Sequence, residues 1–377
     1  MSHPIQTYSL SRGIELSFTD SGAPPNSVDY TTLLVVHGTA FNAYQFHKLH
    51  SYAHALNLRT ILLHRRDYVG STPYSLTELE EISEAKKVFW ERLSAQLAEF
   101  VVMLIQKEGI PRLTQSTESR SEGLDLKGRG GVAIMGWSFG CATVLSLFGV
   151  VKNPMISDKH YDLLQEYIGD FILYDPPHVA FGYPVPSDSP NYVPWEDLTI
   201  PPGNIPQVFS DWVSSYYDHP CYDPQSRCLS YTASIYDLDG RPKAETTSVS
   251  SWTEEEIAKG IEGNNAKTEV SMFMSGMQKT IGVFAHQALF DEKSVQHWFP
   301  NAKVTYLGVT RTNWTCAWAE METKRRYYNA KDFLRQGRDL KFIDIDGANH
   351  FPHWEQAQEF LKVLRKGIHS NNTALRG

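Results

Sequence analysis

Val132-Ala133-Ile134-Met135 is an unbroken apolar run that leads directly into Gly136-Trp137-Ser138-Phe139-Gly140, with an apolar helical stretch over roughly 140–150 behind it. A strand that is apolar at every position must be covered on both faces, as in a parallel sheet flanked by helices. A direct strand-to-helix reversal crowds its own backbone, and glycine at 136 and 140 avoids the side-chain clash. Such a turn lifts the Ser138 hydroxyl clear of the sheet, at a helix N-terminus whose dipole favours developing negative charge. Taken alone, the pattern also suits a plain glycine-flanked turn with no chemistry.

The rest of the chain alternates short apolar strands with amphipathic helical stretches, which implies an α/β fold. Residues 5–11 and 14–20 read as an opening antiparallel hairpin around Arg12-Gly13, and Leu33-Leu34-Val35-Val36 and Thr60-Ile61-Leu62-Leu63 as strands joined by a helix over 43–57. A long helix is expected over 82–108, with Phe89, Leu93, Leu97, Val101 and Leu104 on one face. Further strands are Phe171-Ile172-Leu173-Tyr174, Val304-Thr305-Tyr306-Leu307 and Leu340 to Ile345, and a closing helix spans about 352–368. Residues 114–130 are polar and charged and read as a surface insertion. Eleven of the twenty prolines fall between Pro176 and Pro224. Proline serves neither central strands nor helix interiors, so this stretch should be irregular. The expected organisation is a sheet core from 1–177 and 296–377, interrupted by a lid from 178–295.

The net charge of −8 comes with no long basic run, so a nucleic-acid partner is not expected. The N-terminal residues show no secretory pattern and no segment is long and apolar enough to span a bilayer, which points to a cytoplasmic protein. Cys141, Cys221, Cys228 and Cys316 form neither a disulfide framework nor a paired metal-binding spacing; ordinary thiols and no metal are expected. Asn313-Trp314-Thr315 and Asn371-Asn372-Thr373 match the glycosylation pattern by accident in a chain without an export signal.

A serine hydroxyl needs a base to take its proton. His350, in Asp346-Gly347-Ala348-Asn349-His350-Phe351-Pro352, lies just after the last strand, on the sheet edge where Ser138 should sit. His353 reads as packing. A carboxylate must orient the histidine. The loop after the penultimate strand, Gly308 to Trp314, contains no acid. Asp175 ends the strand that follows the nucleophile helix and is preferred, with Glu320 or Glu322 as alternatives; a turn-capping aspartate is the plain reading. His37-Gly38-Thr39-Ala40 follows the third strand, so the backbone amides of Thr39 and Phe139 are the expected oxyanion donors. Arg65 to Pro73 is expected to shape the scaffold.

Together, His37-Gly38, Arg66 to Pro73, Gly136 to Gly140 and Gly347 to Pro352 resemble the α/β-hydrolase superfamily, in its lid-containing serine branch. The resemblance implies an eight-stranded, mostly parallel sheet with helices on both faces, a Ser–His–acid triad and no cofactor. The departure is the empty acid position after the penultimate strand, and some members carry the acid where Asp175 stands. Haloalkane dehalogenases and epoxide hydrolases of this fold use an aspartate nucleophile, against which Ser138 argues.

The chemistry expected is cleavage of an ester, thioester or lactone through an acyl-enzyme. Aromatic residues crowd the lid, so a hydrophobic small-molecule substrate is expected, with Trp137, Phe181, Tyr183 and Trp212 as pocket residues. Rival readings are an acyltransferase, a lyase or carbon–carbon bond hydrolase on the same residues, and a non-catalytic receptor on this scaffold.

Overall fold

Ten strands organise the described residues, namely β1 (Gln6–Ser9), β2 (Glu15–Asp20), β3 (Thr31–Val36), β4 (Leu58–Leu63), β5 (Val132–Trp137), β6 (Ile168–Tyr174), β7 (Tyr222–Asp223), β8 (Cys228–Leu229), β9 (Lys303–Val309) and β10 (Leu340–Ile345). The computed structural model describes residues 3–114, 130–242, 246–332 and 337–369, so nearly all of the expected 114–130 insertion and the second glycosylation pattern lie outside the described residues. Eight strands form one sheet in the order β1-β2-β4-β3-β5-β6-β9-β10, while β7 and β8 pair separately. β2 pairs antiparallel with β1 and β4, and every pairing from β4 to β10 is parallel.

Side chains alternate across a strand, so the apolar run of β3 feeds two cores. Leu34 and Val36 face one, with Ile134, Phe171 and Leu173; Leu33 and Val35 face the other, with Met135, Ile172 and Tyr174. The first core is closed by helices Lys87–Glu108, Gly140–Gly149 and Ser275–Leu289, the second by residues 43–56 and the helices Trp314–Asp332 and Ala357–Gly367. Each large aliphatic or aromatic side chain so buried contributes about 1.5–3 kcal/mol. A Cβ on Gly149 would stand 2.1 Å from the Phe284 carbonyl oxygen, so Gly140–Gly149 and Ser275–Leu289 touch almost backbone to backbone. Ser275–Leu289 falls inside the expected 178–295 insertion yet builds the main core, through Met277, Ile281 and Phe284.

Several helices differ from the periodicity. The expected helix over 43–57 is a run of 3-10 turns, Ala43–Leu49 and His54–Leu56, around one short α-turn, and Asn57 ends it at φ +55°. The expected 82–108 helix is two, Leu76–Ser83 and Lys87–Glu108, broken where Ala85 takes φ +57°. Ser75 and Glu78 form a capping box that starts the first, and Glu78 also pairs with buried Arg66. The closing helix divides at Gln356. No described helix is long and apolar enough to cross a membrane.

Candidate active site

β3, β5, β6 and β10 run in the same direction, so the residues after their ends, 37–40, 138, 175 and 346–350, share one edge of the sheet. Three non-glycine residues among them, Ala40, Ser138 and Asp175, hold positive φ (+64°, +53° and +42°), a conformation that costs such a residue about 1–3 kcal/mol. The Ser138 N–H donates to the Tyr174 carbonyl at 2.9 Å, and the Ser138 carbonyl accepts from the Cys141 N–H at 3.1 Å. Glycine is obligatory at 140, where a Cβ would meet the carbonyl oxygens of His37 and Val36 at 2.3 and 2.4 Å. The turn is therefore wedged against the end of β3.

His350 Nδ1 lies 2.5 Å from Asp175 Oδ2, and both side chains are fully buried. The same Asp175 oxygen accepts from the Thr312 hydroxyl at 2.6 Å. Burial pushes the Asp175 carboxyl above its usual range, while His350 and Thr312 pull it the other way. His350 Nε2 is buried without a hydrogen-bond partner among the described residues. The histidine's carbonyl accepts from Trp137 Nε1 at 3.2 Å and the Tyr174 hydroxyl at 3.3 Å, which fixes the loop behind the ring. The alternative acids are engaged elsewhere: Glu320 pairs with buried Lys324, which also reaches Asp344 at 3.0 Å, and Glu322 pairs with Arg325 and Arg326. His353 stacks on Phe46 and meets the Tyr174 hydroxyl at 2.9 Å; burial drives its ring well below the usual histidine range, so it is neutral.

Thr39 and Phe139 present backbone amides that have no protein acceptor among the described residues. A Cβ on Gly38 would stand 2.7 Å from Ser138 Cβ, so the loop after β3 lies directly against the serine. Thr39 also borders a cavity of about 310 Å³ with apolar walls that include Trp195, Ile205, Phe209, Val270 and Phe273. The Phe273 ring lies 4.9 Å from that of Phe139, linking the cavity to the serine turn.

None of the four expected pocket residues lines this cavity. Trp137 packs edge-on against Phe46 and Phe351 with its ring 4.8 Å from His350, a contact that positions the histidine. Phe181 stacks on Tyr183 at 4.8 Å in the core, and Trp212 lies behind Trp195 at 5.7 Å. Trp195, Phe209 and Phe273 line the cavity instead, and the irregular backbone between Pro176 and Pro224 has no period from which to read which aromatics face inward. A cleft of about 500 Å³ around Arg12, Arg66, Glu78 and Arg92 contains none of the residues gathered at this edge.

The opposite end of the sheet shows why access matters. Thr31 Oγ1 meets His369 Nε2 at 2.9 Å and His369 Nδ1 meets Asp170 Oδ2 at 2.8 Å, so a hydroxyl, an imidazole and a carboxylate converge there too. All three are buried, whereas Ser138 is partly exposed, so this trio ties the closing segment to β3 and β6. Asp175, Cys316 and His350 also converge. Metal bonds of about 2.0–2.3 Å in a tetrahedral shell hold ligand atoms more than ~3 Å apart. The 2.5 Å contact is a direct hydrogen bond with no room for an ion, and burial beside Asp175 raises the Cys316 thiol well above its usual range, keeping it neutral.

A family model described as the alpha/beta hydrolase family matches residues 33–363. No curated protein matches the sequence. Among solved structures, epoxide hydrolase A of Mycobacterium thermoresistibile is similar over 98% of this chain and 100% of its own, with 14% identity and a TM-score of 0.50. A carboxylesterase structure from the thaumarchaeon Nitrososphaera gargenis is similar over 95% and 96%, with 12% identity and a TM-score of 0.51. At such identities these two likenesses bear on the fold alone.

Proposed function

The chain belongs to the alpha/beta hydrolase family, and from that premise we propose that it is a serine-dependent carboxylic ester hydrolase, cleaving esters, thioesters or lactones of hydrophobic small molecules. The observation that carries this reading is the serine held at φ +53° on the edge where His350 is paired with Asp175. His350 Nε2 takes the Ser138 proton as Oγ adds to the substrate carbonyl, and the amides of Thr39 and Phe139 receive the oxyanion. Collapse of the adduct expels the alcohol, protonated by His350. Water then attacks the acyl-enzyme with His350 as base, which releases the acid and restores Ser138. Asp175 keeps the imidazole in one tautomer and balances its charge. Residues of the 178–295 segment roof the apolar cavity, which suits a hydrophobic acyl or alcohol group.

Serine chemistry also disfavours epoxide opening. A serine that opened an epoxide would become an alkyl ether, which offers no carbonyl for water to attack, and the enzyme would stall after one turnover. Fluorophosphonate labelling of wild type, Ser138→Ala and His350→Ala, alongside turnover of p-nitrophenyl esters and aryl epoxides, tests the reading. Wild type should label and hydrolyse esters only, and both variants should lose both properties. Labelling that survives Ser138→Ala would overturn it. Adding an alcohol acceptor separates hydrolysis from acyl transfer, since a transferase would yield mainly the new ester.

A further inference from the structure

The Gly38–Thr39 peptide is pinned from its far side. Its carbonyl oxygen accepts two hydrogen bonds, from His37 Nδ1 at 2.9 Å and from Arg65 Nη2 at 2.8 Å. His37 Nε2 accepts from the Arg65 N–H at 3.0 Å, and burial beside Arg65 drives the ring well below the usual histidine range, so His37 is neutral with its proton on Nδ1. A trans peptide is planar, so fixing this carbonyl also fixes the direction of the Thr39 N–H. Donors on the carbonyl, one of them charged, polarise the amide and strengthen its N–H as a donor.

Arg65 is in turn held by the segment inserted between β6 and β9. Its guanidinium pairs with Glu269, on the helix Gly263–Met272, and both are buried. The Tyr68 hydroxyl donates to Glu269 Oε2 at 3.1 Å and accepts from the Ala40 N–H at 3.0 Å. The Glu262 N–H donates to the Ala40 carbonyl at 2.7 Å, and the Asn42 N–H to that of Gly260 at 3.0 Å. The same helix supplies Gly263 and Val270 to the cavity wall, with Phe273 at its end. A buried ion pair is a weak stabiliser compared with apolar side chains of the same volume, and Arg65 Nε has no hydrogen-bond partner among the described residues. Stability alone does not account for a charge at this place.

We propose that Arg65, clamped by Glu269 and Tyr68, is a positioning residue that aims and polarises the Thr39 N–H, tying the oxyanion donor to the helix that walls the substrate cavity. This rests on the serine-hydrolase reading above. The test compares wild type with Arg65→Met/Glu269→Met, which removes both charges together, and with Tyr68→Phe, which removes a single hydroxyl. The readouts are kcat and KM for a p-nitrophenyl ester, inhibition by a trifluoromethyl ketone, and the thermal unfolding midpoint. The ketone adds Ser138 to form an anionic tetrahedral adduct, so its affinity reports on the oxyanion donor. In the double variant kcat should fall roughly 10- to 100-fold with KM within about threefold, and ketone affinity should fall in proportion. Tyr68→Phe should show the same split at about fivefold, and it carries the test if the double variant does not fold. Values of kcat and ketone affinity within about twofold of wild type in every folded variant would overturn the proposal while leaving the hydrolase reading standing. A wild type that neither labels with fluorophosphonate nor hydrolyses any ester overturns both.

Discussion

His350 and Asp175 stand 175 positions apart in the chain and 2.5 Å apart in space, in a pair sealed from water. The loop after β9 carries no acid, yet it reaches the same pair through the Thr312 hydroxyl. Acid and hydroxyl thus arrive from neighbouring strands, β6 and β9, onto one oxygen.

Asp175→Asn separates the proposed catalytic role of this carboxylate from its effect on stability. Turnover should fall by about 10⁴-fold, because an amide no longer fixes the imidazole tautomer. Stability should respond in the other direction. Burial raises the carboxyl's pKa on folding, so folding favours its protonated form and ionisation costs stability as pH rises through the folded value. Asparagine carries no such cost. The melting temperature of Asp175→Asn minus that of wild type should therefore increase from pH 4 to pH 8, as scanning calorimetry would reveal. A difference that falls across this range would contradict the burial argument.

Thr312→Val deletes one donor to Asp175 Oδ2 while keeping the side chain's shape. A hydrogen bond to a charged group contributes about 1.5–3 kcal/mol, so kcat should drop roughly tenfold or more with KM little changed. Thr312→Ser, which keeps the hydroxyl, should restore most of the loss. Steady-state kinetics on the three proteins decides it.

Ser138→Gly and Ser138→Ala should both be inactive but unequal in stability. Alanine retains the Cβ that opposes φ +53°, whereas glycine adopts this conformation freely. The glycine variant should be more stable by about 1 kcal/mol in urea titration. Equal stabilities would mean that the turn carries no strain.

Two phenylalanines distinguish cavity from core. Phe209→Ala opens the cavity wall, and kcat/KM for a long-chain ester should fall about tenfold while the acetate ester stays within about threefold. Phe181→Ala removes a fully buried ring stacked on Tyr183 and should cost about 3–5 kcal/mol of stability with an unaltered chain-length profile. The opposite pattern would exchange their assignments.

The sequence by itself determined the sheet and the residues placed at its strand ends. Val132 to Met135, Leu33 to Val36 and Phe171 to Tyr174 announce strands buried on both faces, and the glycines around Ser138 announce a turn that only small residues survive. These signals are local, because a strand's burial and a turn's clearance are set by contiguous residues. His350 and the Thr39 and Phe139 amides follow from strand ends in the same way. Helix ends were less legible, since the break at Ala85 has no glycine or proline to mark it. Only the tertiary structure decided which carboxylate meets His350, because Asp175 directly follows β6 while Glu320 and Glu322 stand on the helix after β9, and what surrounds each sets its partner. Lys324 takes Glu320 and Arg325 takes Glu322, leaving Asp175 for the histidine. Thr312, Glu269 and the wall of Trp195, Phe209 and Phe273 likewise became visible only in the fold. A hydroxyl, an ion-pair partner and an aromatic in a loop have no sequence period; their partners come from segments that the sheet order and the irregular insertion bring together.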